Sequence, residues 1–476
     1  MQKIKDCFLK FKNELGLLIF SVLGSFFLVA NPGIFSHDEL QKADYIANYG
    51  FVNFLKSYTI FLHDGETLAF PFRPIGFALQ GVTSFFLADF PVLTYLISVF
   101  VHVIVVILLY KVCLLIFNNK RISLLSASIF SVSPLVTFSV GWSAASMDRL
   151  FVLFILLGVT LFFKKVNSNA LCNDFSFFFC IFFLTLLAIL SKETALIIPA
   201  LILSAIYIPF DNTKNKRKGI ILLTGAFLVA ISLYFFLRFE TFKNTFFGHY
   251  DTGSYDISVN NIFNNVIAYW SYPFLPFLNE VGSIVLLDHL FIFLASVFHV
   301  ILLLFISIRL GSKVAVYYLF FFFLPLAPVL LIGGMGSQYL YASAISMSVA
   351  LAVLVNSMLN TKGKNYASVF FVMVVFIILT IHSFSNQIFI YTIGRCTDKA
   401  VSSIDSQFRT LDRGDVYIEI ERGAAKHILQ RIITGREVAI FGEGTERKVI
   451  YLNSGENHPS ANYFRFSSSC IFYSGK

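Results

Sequence analysis

Residues 92–110, VLTYLISVFVHVIVVILLY, contain no Asp, Glu, Lys or Arg. A stretch of that length belongs in a bilayer or deep in a large core, and similar runs recur along the whole chain. Of the 476 residues 57% are hydrophobic and only 13% charged, too few charges to cover a soluble surface of this size. The chain therefore reads as an all-α polytopic membrane protein. Its net charge of +9 implies no nucleic-acid partner, because the cations sit between apolar runs, where orientation signals sit.

A crossing takes roughly 20 mostly apolar residues. By that measure the sequence predicts about eleven spans, near 14–31, 92–112, 122–140, 149–163, 175–190, 195–210, 219–237, 288–308, 314–332, 340–358 and 366–385. The first lacks a small-residue cleavage site and reads as an uncleaved span. Alternate intervals between spans hold seventeen Lys and Arg on one side, such as Lys120, Arg121, Lys164, Lys165, Lys216 and Lys218. The other side holds seven: Lys42, Lys56, Arg73, Arg149, Lys192, Arg238 and Lys243. That bias puts the amino terminus in the cytoplasm, and an odd number of spans puts the tail outside. The segments 73–89 and 260–287 are broken by Pro and acidic residues and read as external juxtamembrane segments, with Trp270 and Tyr272 at headgroup depth.

Two domains follow. Residues 1–385 form the membrane domain, with a first external loop at 32–91, and 386–476 form an extracytoplasmic domain. The tail is balanced in charge, and its alternating patches DVYIEI, EVAIFGEG and RKVIYLN predict a small α/β fold. Cys396 and Cys470 are the cysteines on the outer side in this topology. An oxidising exterior permits a disulfide between them, and two free thiols fit the sequence equally well.

The external turns gather a short set of polar residues. Asp38 and Glu39 follow the first span, and Arg73 precedes a juxtamembrane segment. Asp148 and Arg149 lie between spans three and four, and Lys192 and Glu193 between spans five and six. Tyr339 and Tyr341 open span ten, and His102 lies within span two. Each has an ordinary alternative. Arg149 and Lys192 can snorkel to headgroups, Glu193 can pair with Lys192, His102 can be a satisfied interior histidine, and the tyrosines can belong to an aromatic belt. Taken together at one depth and on one side, they suit transfer of a sugar from a lipid phosphate. One carboxylate takes the proton of an acceptor hydroxyl, and cations rather than a general acid receive the leaving phosphate. A glycosidase would need two carboxyl groups with distinct roles. No cofactor is called for. His37 beside Asp38 offers two adjacent ligands without a third, which leaves a divalent metal open.

The segments FRPIGFALQ, FVHVIVVILLY, FSVSPLVTFSVGWSAASMDRLFVLFILL, LSKETALIIPALIL and GSQYLYASAIS occur in that order. Together they resemble the GT-C superfamily of integral-membrane glycosyltransferases, with the protein O-mannosyltransferase-like group the nearest branch. The resemblance covers spans one to ten and not the tail. It implies an acidic residue of the first loop as catalytic group, at Asp38 or Glu39, and a basic–acidic pair before a proline at Lys192, Glu193 and Pro199. It further implies a site residue at Asp148 or Arg149, tyrosines at Tyr339 and Tyr341, and a polyprenyl- or dolichyl-phosphate sugar as donor. Ser133 and Gln338 depart from that branch, which has a histidine and a charged residue there, and the tail shows no 34-residue repeat. A glycan acceptor fits the missing repeat better than a protein. The plan is also similar to bacterial O-antigen glucosyltransferases, in which late Cys and Lys residues matter, as at Cys470 and Lys476.

The sequence thus predicts an inverting hexosyltransferase of the bacterial inner membrane, using an undecaprenyl-phosphate sugar and an exported glycan such as O-antigen. A protein O-mannosyltransferase and a non-enzymatic flippase are the alternatives. Membrane-impermeant labelling of single cysteines placed in the 33–46 and 192–194 turns should reach both from the same face; reaction from opposite faces would end this reading.

Overall fold

An apolar segment in lipid has to satisfy its backbone internally, and this chain does so with helices. The computed structural model describes residues 12–33, 37–59, 73–87, 90–167, 173–198, 213–242, 258–275, 279–280, 283–284, 289–360, 366–407, 415–422, 426–433, 449–456, 460 and 462–474. In chain order the first helices are α1 (Lys12–Gly24), α2 (Phe26–Val29), α3 (His37–Tyr49), α4 (Phe51–Thr59) and α5 (Pro74–Leu87). Next come α6 (Pro91–Phe117), α7 (Lys120–Ser131), α8 (Pro134–Gly141), α9 (Ser146–Asn167), α10 (Asp174–Ser191) and α11 (Thr213–Phe242). The series closes with α12 (Asn261–Ser271), α13 (His289–Leu310), α14 (Ser312–Phe323), α15 (Ser343–Asn360), α16 (Tyr366–Gln407) and α17 (Lys426–Ile433).

Among the described residues eight helical stretches are long and apolar enough to cross a membrane, and the chain is a multi-pass membrane protein. The pair α7 and α8, bent by 55°, makes a ninth if counted as one span. The expected count of eleven is not reached for two reasons. The first expected span is divided into α1 and α2, of 13 and 4 residues, and the span near 195–210, with Pro199, lies outside the described residues. The bend between α7 and α8 has a local cause. Pro134 has no N–H to give, and Ser133 caps the new helix by accepting the Leu135 N–H at 3.3 Å.

Three antiparallel helices set the polarity of the bundle. At one end Lys165 pairs with Asp174 at 3.2 Å, and Lys218 pairs with the same carboxylate. These join the end of α9, the start of α10 and the start of α11. At the other end Asp148 of α9 pairs with Lys192, the residue that ends α10, and Arg238 of α11 lies 3.9 Å from Glu193. A second pair of contacts gives α1 and α6 the same alignment. Asn13 donates to the Tyr110 hydroxyl at 3.1 Å, and at the far end the Tyr95 hydroxyl donates to the Gly33 carbonyl at 2.9 Å.

The first loop holds three helices, α3, α4 and α5, of 13, 9 and 14 residues, none long enough to span. In the segment 260–287 Tyr272 is only 1% exposed and Trp270 stacks on His299 with ring centroids 3.6 Å apart, so both rings pack against protein. After them β1 (Asn279–Glu280) and β2 (Ser283–Ile284) form a short antiparallel pair.

Helix α16 has 42 residues, about 63 Å of helix and roughly twice the hydrocarbon core of a bilayer. It therefore runs well past the expected domain boundary at 385, and its second half carries the tail. Strands β3 (Val416–Ile420), β4 (Val449–Leu452), β5 (Tyr463–Phe466) and β6 (Phe472–Ser474) form a sheet in the order β4-β3-β5-β6. Its central strands are parallel and β6 is antiparallel to β5. Two of the three expected strand patches appear as β3 and β4; EVAIFGEG lies outside the described residues. The sheet is held to α16 by a Cys396–Cys470 disulfide with Cα atoms 5.2 Å apart, and by the Phe472 N–H, which donates to Ser403 Oγ at 3.1 Å.

The same stretch of α16 meets the start of the first loop. A Cβ on Gly33 would lie 2.1 Å from the Gly394 carbonyl oxygen, and one on Gly394 would lie 1.7 Å from Asn31 Oδ1, so neither position admits a side chain. Leu40 of α3 packs on Val401, and α17 packs on α3. Tail and first loop thus share one end of the molecule, whatever the number of crossings. The disulfide closes a 74-residue separation, and such closures contribute about 2–4 kcal/mol. Cys470→Ser should therefore lower the stability of the tail by about that amount, measured as earlier proteolytic release of the segment after α16 with the membrane helices intact.

Candidate active site

The polar residues singled out in the sequence stand at breaks between helices, and the sequence explains each break. The motif SVSP ends α7 at Pro134. GWSAAS loosens the chain into a 3₁₀ turn (Ser143–Ala145) before α9, and GGMGSQ leads into a 3₁₀ turn at Ser337–Tyr341. Lys192 has an extended backbone, φ −162° and ψ 138°, between α10 and the 3₁₀ turn Glu193–Ile197.

These breaks bring most of the sequence-predicted residues into one network. Lys192 and Asp148 form a buried ion pair, and the Lys192 ammonium also lies 4.4 Å from the centre of the Tyr339 ring. Next to them Arg73 Nε donates to Glu193 Oε2 at 2.6 Å, and Arg73 Nη1 reaches Met147 Sδ at 3.6 Å. Arg238, which donates to the Tyr234 hydroxyl, approaches the other oxygen of Glu193. Burial pulls the Lys192 pKa down, and Arg73 adds to the fall; Asp148 opposes it, but the net shift is downward. Burial also works against the Arg73 charge, but Glu193, Tyr339 and Asp148 outweigh it and the net shift is upward.

Arg149 follows Asp148 and points into the interior, where it is 0% exposed. Its Nη2 donates to Ser98 Oγ at 3.2 Å, while Nε and Nη1 have no hydrogen-bond partner among the described residues. One face of α6 supports this region through positions 95, 98 and 102. Tyr95 holds the first loop, Ser98 holds Arg149, and His102 holds Tyr341. His102 Nε2 lies 3.1 Å from the Ser131 carbonyl, which can only accept, so the proton sits on Nε2. Nδ1 then accepts from the Tyr341 hydroxyl at 2.8 Å. Both ring nitrogens are occupied, and His102 is a buttress for Tyr341. Tyr341 is itself fully buried and is no aromatic-belt residue, while Tyr339 is half-buried.

Of the two first-loop acids, Glu39 is 0% exposed and accepts the Ser143 backbone N–H at 2.6 Å. The side chains of His37 and Asp38 lie outside the described residues. Among the described residues no three His, Cys, Asp or Glu side chains gather as a metal-binding set. Cys396 and Cys470 belong to the tail attachment rather than to this network. Sequence reasoning did not select Ser98, Tyr95, Met147, Tyr234 or Arg238 as site residues. The 95/98/102 spacing on one helix face was the available signal for two of them.

No family model matches the chain, and no curated protein matches it by sequence. Among solved structures the chain is similar to the oligosaccharyltransferase of Archaeoglobus fulgidus, crystallised with a tethered acceptor peptide. The identity is 14% and the TM-score 0.45, over 94% of this chain and 64% of that one. It is also similar to the mycobacterial arabinofuranosyltransferase AftD, at 13% identity and a TM-score of 0.40, over 86% of this chain and 31% of that one. The chain thus spans less than two thirds of the length of either.

A buried ion pair loses heavily when one partner goes, because the other charge is left unpaired. Asp148→Ala should therefore destabilise the membrane domain by about 3–5 kcal/mol, read as a fall in thermal midpoint in detergent. Asp148→Leu combined with Lys192→Met should recover most of that stability.

Proposed function

We infer that this protein is a glycosyltransferase that moves a hexose from a polyprenyl phosphate, undecaprenyl phosphate in a bacterial inner membrane, to a hydroxyl of an exported glycan. The observation that supports the reading best is Arg149, a fully buried guanidinium near Glu39, two of whose nitrogens have no hydrogen-bond partner among the described residues. Among the described residues four cations, Arg73, Arg149, Lys192 and Arg238, lie with three carboxylates, Glu39, Asp148 and Glu193. Lys192 and Arg73 each already hold a carboxylate, so Arg149 has the most donor capacity to spare.

The chemistry is a single displacement. The acceptor oxygen attacks the anomeric carbon and its proton passes to a first-loop carboxylate. The bond from carbon to phosphate oxygen breaks with inversion, and the phosphate leaves as an anion. That anion needs preorganised cations rather than a proton, which is the role assigned to Arg149 with Arg73 and Lys192. Asp148 and Glu193 orient Lys192 and Arg73, Tyr339 packs on the Lys192 ammonium, and His102 holds Tyr341 in place. The reading places the amino terminus in the cytoplasm and the site with the tail in the periplasm, in line with the seventeen-to-seven bias of basic residues. No cofactor enters the scheme.

A protein O-mannosyltransferase would share this site and differ in its acceptor. A flippase would want polar groups spread across the membrane depth; the two interior histidines that raised it, His102 and His299, have both nitrogens taken, the latter by the Trp270 carbonyl and the Tyr318 hydroxyl. Membranes containing the protein, given an undecaprenyl-phosphate hexose and a lipopolysaccharide acceptor, should transfer the sugar. Asp38→Asn and Arg149→Ala should each lower kcat by roughly 100-fold or more, and Arg149→Lys should restore only part of it. Near-normal transfer by both Asp38→Asn and Arg149→Ala, with normal folding, would remove the assignment.

A further inference from the structure

We propose that Glu39 is a positioning residue rather than the base: its carboxylate latches the first-loop helix α3 to the free N-terminal amide that opens the turn before α9. The proposal rests on the transfer reading above and narrows it to one residue. Glu39 is fully buried, and its Oε1 accepts the Ser143 N–H at 2.6 Å. Ser143 opens the 3₁₀ turn Ser143–Ala145, and the preceding Trp142 makes no side-chain cap. The first N–H groups of such a helical start have no partner within the helix, and a carboxylate there is also favoured by the helix dipole. With Oε1 engaged by a backbone N–H, this carboxylate is committed to holding the turn.

Its position gives the latch reach. Five residues after Ser143 the chain arrives at Asp148 and Arg149, so anchoring α3 at Ser143 sets the distance between the first loop and the ion-pair network. Tyr95 to the Gly33 carbonyl at 2.9 Å and Leu40 on Val401 also hold the loop. Glu39 supplies a hydrogen-bonded link between α3 and that turn, and position 38 directly precedes it on α3.

Gln keeps an oxygen that accepts the Ser143 N–H and removes the titrating group, whereas Ala removes both. Glu39→Gln should therefore keep about a third or more of wild-type kcat and retain the acid limb of the pH–rate profile at the same midpoint. Glu39→Ala should lose about tenfold or more in kcat, since misplacement of a reacting group by about 1 Å can cost 100-fold, with the donor KM within about threefold of wild type. Hydrogen exchange of the full chain in detergent supplies a readout independent of turnover. Amides of residues 37–49 should exchange faster in Glu39→Ala and at the wild-type rate in Glu39→Gln. If Glu39→Gln is as inactive as Glu39→Ala, or loses the acid limb, Glu39 is the base and the proposal falls. Unchanged exchange in Glu39→Ala also overturns it. If wild type transfers no hexose, the transfer reading fails, and the exchange result still decides the latch.

Discussion

A helix broken in apolar surroundings strands backbone N–H and C=O groups, and each stranded group costs several kcal/mol unless something else bonds it. Much of this protein's interior polarity answers that constraint. His102 donates to the Ser131 carbonyl at the α7/α8 break, and Gln387 donates to the Gly24 carbonyl at the α1/α2 break at 2.7 Å. Asn265 donates to the carbonyls of Leu330 and Ile332, at 2.8 and 2.9 Å, and His299 and His382 donate to Trp270 and Pro273. Glu39 serves the Ser143 N–H in the same way. Buried histidines and amides that look like candidates for catalysis are here the means by which an interrupted bundle remains folded.

The breaks are also what allow a site to exist. Unbroken helices would carry Asp148, Lys192 and Tyr339 on separate faces with no common centre. Interruption at Trp142, Lys192 and Gly336 turns the chain ends inward and lets opposite charges from distant segments meet. The ion pairs in turn hold the ends of α9, α10 and α11 in register, since leaving either member alone in the interior would be costly. Arg149 is the exception that gives the cluster its direction, because its spare donors are kept in place by Ser98 without being consumed.

Much of the plan was legible in the sequence. Charge-free runs and the placement of basic residues marked the helices and the two unlike ends, because lipid penalises charge and that penalty acts on composition alone. Asp148, Lys192, Arg73 and Glu193 were picked out individually for the same reason: charges next to apolar runs are few. Their pairing was not legible. Glu193 was weighed as a partner for its neighbour Lys192, but it pairs with Arg73, 120 positions away, while Lys192 takes Asp148. The expected span count is not confirmed where spans are short or broken, as at α1 and α2, since hydropathy cannot register a bend.

By itself the sequence determined a polytopic helical protein, its two unlike ends, a small α/β tail and a set of charged residues in the turns between apolar runs. These follow from composition and local periodicity, which any window of the chain carries. Tertiary structure alone decided that Glu39 serves a helix start, that two Arg149 nitrogens have no hydrogen-bond partner among the described residues and that Cys396 meets Cys470. It also decided that α16 carries the tail back to the first loop. Those outcomes depend on which distant groups come within 3 Å of one another, and backbone geometry sets that distance only once the helices have packed.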